Sequence, residues 1–212
     1  VEMPQRMNRG CSMKIAVYGA TGMVGSEVTA EALRRGHQVI AVTRRGDEVP
    51  GAVSLAGNLF DLEGLRIVAE QADAIVLSVA PDRSGNSHDE YIRAHQNIAA
   101  AEIAARVLIV GGAGALEVDG VQLKDLPDFP EAYKTEAETM SAILDFYRAA
   151  SSLEWTMLAP APAIGPGERT GKYILGSDSP AGAQISAADF AIAALDELEE
   201  PQHQNARFNA AS

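Results

Sequence analysis

Three features of the sequence predict a doubly wound, mostly parallel α/β fold. Apolar runs of strand length alternate with stretches of helical periodicity from residue 14 onward. The run over residues 74–79 is apolar except for Ser78, as a central parallel strand covered on both faces requires. The first run, Lys14-Ile15-Ala16-Val17-Tyr18, passes straight into Gly19-Ala20-Thr21-Gly22-Met23-Val24-Gly25. These glycines recur at a G-x-x-G-x-x-G spacing, and Val24, Val28, Ala32 and Leu33 behind them fall on one helical face. Strand, glycine turn and helix in that order form a dinucleotide-binding element. Gly19 serves the tight turn, Gly22 the close approach of a pyrophosphate, and Gly25 the packing of helix on strand. The free N–H groups and the dipole at the helix start then face the phosphates.

The chain of 212 residues is long enough for one good core and short for two. Its net charge of −12 argues against nucleic acid or an anionic membrane as partner. No apolar run reaches membrane-spanning length, and the N-terminal stretch has no secretory apolar core. The single Cys11 excludes an internal disulfide, and no metal site is expected. These features fit a cytoplasmic protein. Residues 1–12 read as a flexible leader, and residues 13–212 as one domain with cap elements at about 160–185.

A second strand is expected over residues 38–43, with His37 before it as a solvated turn residue. It ends in Thr43-Arg44-Arg45, where a carboxylate would otherwise hold the ribose hydroxyls of NAD. Arg44 and Arg45 suit the 2′-phosphate of NADP; the other reading is a solvated basic turn. A short third strand (52–55) leads to Asn58 and Leu59, expected near the adenine. Asp61 is placed to cap a helix carrying Leu65, Val68, Ala69 and Ala72 inward. After the strand at 74–79 come a polar loop over 82–87, His88 as a surface residue, and a helix over about 89–105. A fifth strand (107–110) runs into Gly111-Gly112-Ala113-Gly114, glycines that leave room for a flat group such as the nicotinamide. Residues 115–130 form a loop too long for a simple connection and are expected at the rim of the site. A helix over 131–150 turns Ala137, Met140, Leu144 and Tyr147 inward, and Trp155 opens a sixth strand closed by Pro160. Ser186 and Asp189 form a capping box on a last helix with Ala191, Ala194, Leu195 and Leu198 inward, and Arg207-Phe208 lies in a terminal strand.

From Lys14 to Phe208 the chain resembles the atypical short-chain dehydrogenase/reductases, specifically the NAD(P)H-flavin reductase group related to biliverdin reductase B. The matching pieces are the Gly19–Gly25 element, Gly111 through Gly114, Phe129-Pro130 with Tyr133-Lys134, and Trp155-Thr156. Pro166 through Gly171 with Lys172-Tyr173, and Ile185-Ser186 with Ala188-Asp189, complete them. The glycine element is common to a large superfamily, whereas Pro166–Gly171 followed by Lys172-Tyr173 is more specific. Two departures stand out. The segment between Asp178 and Ile185 is shortened where such proteins carry a longer hairpin. Carbonyl-reducing members also use a serine after strand five and a Tyr-x-x-x-Lys pair. Here Lys134 stands at the lysine position, but Pro130 stands at the tyrosine position and Gly112-Ala113 at the serine.

The resemblance implies cofactor contacts from Gly19, Thr21, Gly22, Met23, Val24, Arg44, Arg45, Asn58 and Leu59. Further contacts are expected from Ser78, Val79, Ala80, Gly111, Gly112, Ala113, Lys134, Pro160 and Ala163. Lys134 is read as a partner of the nicotinamide ribose or as a solvated helix lysine, and Tyr133 as the only other catalytic candidate. The expected activity is an NADPH-preferring reductase, with NAD possible, that hands hydride to a flavin or quinone-like acceptor, as a monomer or homodimer. One rival is a non-catalytic NAD(P)-sensing regulator. The other, an isomerase or dehydratase acting on a nucleotide sugar, needs the positioned acid–base pair that the chain lacks.

Overall fold

The computed structural model describes residues 12–212; the leader, with Cys11, lies outside them apart from Ser12. The chain opens with β1 (Lys14–Tyr18), α1 (Met23–Arg34), β2 (Gln38–Thr43), β3 (Val53–Ala56), α2 (Leu62–Ala69) and β4 (Ala74–Leu77). It continues through α3 (Asp89–Ala99), β5 (Arg106–Val110), β6 (Glu117–Val118), β7 (Val121–Gln122), α4 (Lys134–Arg148) and β8 (Trp155–Pro160). The last elements are β9 (Ala163–Gly165), β10 (Ile174–Gly176), β11 (Gln184–Ser186), α5 (Ala187–Glu199) and β12 (Ala206–Ala211).

Eight strands form one sheet in the order β10-β12-β8-β5-β4-β1-β2-β3. Every neighbouring pair is parallel except β10 with β12. The central strands are buried on both faces, which is why they read as continuous apolar runs. Tyr18, Ile40, Ile75 and Ile109 meet Leu65, Ile98, Met140 and Leu144 of α2, α3 and α4. Ile15, Val17, Val76 and Leu158 meet Val28, Ala32, Phe190 and Leu195 of α1 and α5. The sheet is thus doubly wound, as the alternation of elements predicts. Its order reverses about β1, flanked by β2 and β4, so a crevice lies outside the carboxyl ends of these strands. At the amino ends of β5 and β8, Arg106 donates to Glu197 Oε1 (2.9 Å) and Thr156 Oγ1 (2.7 Å).

Several expectations are corrected. The helix expected to reach residue 105 ends at Ala99, and Ala101, Ile103 and Ala105 then face the core while Glu102 and Ala104 face solvent. That period-two burial marks an extended lead into β5, which an alanine-rich sequence conceals. The helix expected from residue 131 begins as a 3-10 turn, Glu131–Tyr133, and becomes α-helical only at Lys134. Within the loop expected over 115–130, β6 and β7 form an antiparallel hairpin. Its turn residues, Asp119 (φ 52°) and Gly120 (φ 79°), both occupy the left-handed region that two-residue hairpin turns demand. His37 is buried rather than solvated: Met13 N donates to its Nδ1 (3.1 Å), and its Nε2 lies 2.7 Å from Glu199 Oε1. It stitches the start of β1 and the turn before β2 to the end of α5.

Candidate active site

The three glycines of the turn have separate tasks. Gly19 adopts φ +80°, and its N–H donates to Val42 O at 3.0 Å. A Cβ there would stand 2.4 Å from Ser78 O, and one on Gly25 only 2.0 Å from Gly19 O. Both distances are to backbone, so these two residues hold β1, β4 and α1 together. Gly22 differs. Its φ of −74° and ψ of 169° suit any residue, and its nearest obstacle, Gly19 O, would lie 3.3 Å from a Cβ. Gly22 is the N-cap of α1, with no side-chain cap and no acidic residue in the first turn. The first N–H groups and the positive end of the helix dipole are therefore left for an anion. Thr21 and Met23 are exposed beside them, whereas Val24 packs on the α1–α5 core.

At the end of β2, Arg44 and Arg45 are both exposed and make no hydrogen bond or ion pair among the described residues. By contrast Arg35, Arg83, Arg106, Arg169 and Arg207 are each paired with a carboxylate. The turn that presents the two arginines is fixed by Asp47 N donating to Thr43 Oγ1 (2.8 Å) and Gly57 N to Thr43 O (2.8 Å). Asn58 is exposed, its Oδ1 accepting from Phe60 N (2.8 Å) and Asp61 N (3.1 Å). Asp61 caps α2 as expected, through Gly64 N (2.9 Å). Leu59 points into the core, so it has only its main chain to offer a ligand.

On the other side of the crevice, Ser78, Val79 and Ala80 leave the end of β4. Ser78 N donates to Tyr18 O (3.0 Å), and Tyr91 Oη donates to Val79 O (2.6 Å). His88, expected at the surface, is buried: its Nδ1 lies 2.8 Å from Thr139 Oγ1 and its Nε2 2.7 Å from Asp82 O. With the two-pronged Arg83–Glu136 pair (2.8 and 2.7 Å), it clamps the loop after β4 onto the start of α4. Asp82 accepts from Ser84 and Asn86, and these hydrogen bonds, the one from Asn86 N foremost, hold its carboxyl down at about 2.

The glycines after β5 are accounted for by packing rather than by open space. A Cβ on Gly111 would meet Met157 Cγ at 2.9 Å, one on Gly112 Met140 Cβ at 3.2 Å, and one on Gly114 Ala137 Cβ at 2.4 Å. This brings β8 and α4 close under the loop and leaves Ala113 to open a 3-10 turn. Arg207, which the sequence marks only as part of a terminal strand, supports that turn from below through Ala115 O (2.5 Å) and Asp178. Lys134 opens α4, half-buried and with no hydrogen-bond partner among the described residues; Tyr133 precedes it and is exposed. Pro160 is buried at the end of β8, and Ala163 is exposed at the start of β9. The carboxyl ends of the strands therefore gather the glycine turn, residues 78–80 and residues 111–113, with Arg44, Arg45 and Asn58 at the outer end. Among the described residues no three His, Cys, Asp or Glu side chains are grouped to hold a metal ion.

The segment over residues 166–173 is a strap across α1 and α5. Ser186 Oγ donates to Glu168 O (2.8 Å), and Thr170 N (2.8 Å), Thr170 Oγ1 (2.6 Å) and Gly171 N (2.9 Å) all donate to Asp189. Arg169 grips Glu31 at 2.9 and 3.1 Å, and Tyr173 Oη donates to Asp196. Burial pushes the Glu31 carboxyl up, but hydrogen bonds from Arg169, Arg34 and Arg35 outweigh it and hold it well below the usual range. Only half of the expected capping box forms: Ser186 Oγ accepts from Asp189 N (3.0 Å), while the Asp189 carboxylate is spent on the strap. Beside the strap, a shallow cleft of about 450 Å³ is lined by Ala163, Gly165, Pro166, Glu168, Gln184 and Ser186.

Residues 19–201 match the family model for NAD(P)H-binding proteins. The uncharacterized protein YwnB of Bacillus subtilis is 37% identical over 211 residues, which span 94% of this chain and 99% of YwnB. Among solved structures, a proposed NADH-flavin reductase of Streptococcus pneumoniae has a TM-score of 0.83 at 32% identity, over 95% of this chain and 100% of its own. A proposed epimerase of Bacteroides thetaiotaomicron has a TM-score of 0.84 at 33% identity, over 94% of this chain and 97% of its own. No helix of the described residues is long and apolar enough to cross a membrane.

Proposed function

The chain belongs to the NAD(P)H-binding family, and on that footing we propose that it is an NADPH-preferring oxidoreductase whose acceptor is a flavin or quinone-like ring. The observation that carries the reading is the uncapped start of α1 behind Gly22, facing the crevice where the strand order reverses. Met23 and Val24 would hold the pyrophosphate through main-chain N–H groups across the bare Cα of Gly22, whose own N–H donates to Gly19 O (2.9 Å). Asn58 and the Leu59 main chain would hold the adenine end, and Lys134 the nicotinamide ribose. The bound dinucleotide supplies the hydride. The chain supplies position: the β4 loop is locked by Tyr91, His88 and Arg83, and the β5 loop by Met140, Ala137 and Arg207. Such fixed walls favour transfer by proximity and orientation.

A ketone receiving hydride becomes an alkoxide, which needs a proton donor in place. Pro130 and Ala113 stand where the resemblance sets the tyrosine and serine, and neither can donate. A flavin or quinone spreads the added electron pair over a conjugated ring, and solvent completes its protonation. The same absence weighs against the epimerase chemistry proposed for the Bacteroides protein. It does not separate the reductase from a second reading, a non-catalytic NAD(P)-sensing regulator; turnover of NADPH with a flavin does.

Arg44 carries the preference for NADPH in this reading, since an exposed guanidinium without a carboxylate partner at this strand end is free to fork a 2′-phosphate. Arg44→Ala is expected to weaken NADPH by about 1.5–3 kcal/mol and NADH hardly at all. Paired calorimetric titrations of the two cofactors check it, and an equal loss for both would remove Arg44 from this role.

A further inference from the structure

The chain carries five phenylalanines, five tyrosines and one tryptophan. Six of these rings are buried in the core, Phe146 packs against it, and Tyr173 is tied to Asp196 in the strap. Phe60, Phe129 and Tyr133 remain. Phe60, 49% exposed, follows Leu59 at the outer end of the crevice, beside Asn58. Tyr133 is 59% exposed, and its hydroxyl makes no hydrogen bond among the described residues. Phe129 differs from both. It is partly buried, yet it packs into neither core. Its ring is seated instead on the turn after β5: Phe129 Cζ would lie 3.6 Å from a Cβ on Gly114, the residue after Ala113. The backbone around it is fixed. Phe129 N donates to Leu126 O (3.1 Å) and Tyr133 N to Pro130 O (3.0 Å). Ser141 Oγ fastens the preceding hairpin to α4 through Gln122 Oε1 (2.8 Å). A ring so held, outside either core and next to residues 111–113 of the crevice, is available to a flat partner.

We propose that Phe129 is the platform on which the acceptor ring stacks, and that the ring it takes carries no phosphate. The identity of the acceptor rests on the reductase reading; its placement rests on the seat of Phe129 against the turn after residues 111–113. Aromatic rings stack offset or edge to face. A side chain already held in place loses little freedom when a ring settles on it, whereas the exposed Tyr133 would have to be ordered first. Transfer by proximity needs the acceptor fixed in orientation, and a seated ring supplies that. Charge around Phe129 decides the class of ring. Residues 124–138 carry five carboxylates and two lysines. Lys124 is spent on Asp125 (2.8 Å), and Lys134 is assigned to the nicotinamide ribose. Asp128 and Glu131, which flank Phe129 in the sequence, are exposed and have no ion-pair partner among the described residues. A phosphate on a flavin side chain is repelled there, and the uncharged ribityl chain of riboflavin is not.

Binding to the full chain saturated with oxidised NADP, which has no hydride to give, separates the platform from turnover. Quenching of riboflavin fluorescence is expected to report binding to wild type, with FMN held about threefold or more weakly. Phe129→Ala is expected to weaken riboflavin about tenfold, and to raise its KM in NADPH oxidation by a similar factor. Phe129→Trp is expected to restore both, because a larger ring keeps the stack; a side chain needed only to seat the loop would not be rescued by extra bulk. NADPH affinity is expected to be unchanged in the two variants, which a displaced loop would not allow. Riboflavin that fails to bind wild type, or binds Phe129→Ala as tightly, would overturn the platform. FMN bound as tightly as riboflavin would overturn the choice of ring. Binding that follows Phe129 without oxidation of NADPH by either flavin would uphold the platform and count against the reductase reading. Flavin turnover with a KM indifferent to Phe129 would do the reverse.

Discussion

Gly22→Val is expected to abolish dinucleotide binding in a domain that stays folded, while Gly25→Ala is expected to cost the fold itself. The difference lies in what a Cβ meets. At Gly25 it would stand 2.0 Å from the Gly19 carbonyl oxygen, and neither backbone can yield without parting α1 from β1. The expected destabilisation is about 3 kcal/mol or more, at or beyond the upper end of overpacking penalties. At Gly22 the backbone is extended and the nearest atom would be 3.3 Å away, so the structural cost is about 1 kcal/mol. A branched side chain at the N-cap instead projects over the N–H groups that the pyrophosphate needs. Thermal melts and NADPH fluorescence titrations of the two variants test both halves. A Gly22→Val chain that still titrates, or a Gly25→Ala chain that melts like wild type, would contradict this division of labour.

The second large effect is expected at Asp189. Its carboxylate is 1% exposed and accepts three hydrogen bonds from residues 170 and 171. Asp189→Ala strands two backbone N–H groups and a hydroxyl, each worth about 1–3 kcal/mol when left buried without a partner. Part of that returns as the strap loosens and takes up water, so the expected loss is about 3 kcal/mol. Asp189→Asn keeps the shape and one acceptor oxygen and should fall between. Urea denaturation checks both; a loss below about 0.5 kcal/mol for Asp189→Ala would mean that Asp189 does not hold the strap. This gives a physical meaning to the motif at residues 166–173. Its polar side chains fasten the strap to α1 and α5.

What the sequence disclosed and what it concealed divide along physical lines. Strands buried on both faces announce themselves as apolar runs, and the turn between β1 and α1 announces itself because Gly19 and Gly25 admit no side chain. The Asp61 and Ser186 caps are local, within three residues of the N–H groups they serve, and so were legible. His37 and His88 were not, because their partners Glu199 and Thr139 lie 162 and 51 residues away. Arg207 escaped for the same reason, reaching back 92 residues to Ala115. The Asp119-Gly120 hairpin has a local signal, the Asp-Gly pair, which the expectation of a long rim loop over 115–130 does not use. Gly111, Gly112 and Gly114 show that packing as well as ligand space calls for small residues. Their missing side chains are compensated by Met157, Met140 and Ala137, which only the packing of β8 and α4 brings there.

The proposal of hydride transfer without a side-chain acid is tested most directly by Tyr133→Phe, assayed by steady-state NADPH oxidation with riboflavin, a quinone and a simple ketone. Tyr133 is the hydroxyl nearest in sequence to Pro130, and it stands exposed one residue before Lys134. If the acceptor ring disperses the charge and solvent delivers the proton, wild type should reduce the flavin and the quinone and leave the ketone nearly untouched. The variant should then keep its turnover within a few-fold. A fall of about a hundredfold or more, the scale of losing a general acid, would make Tyr133 the proton donor and contradict the account.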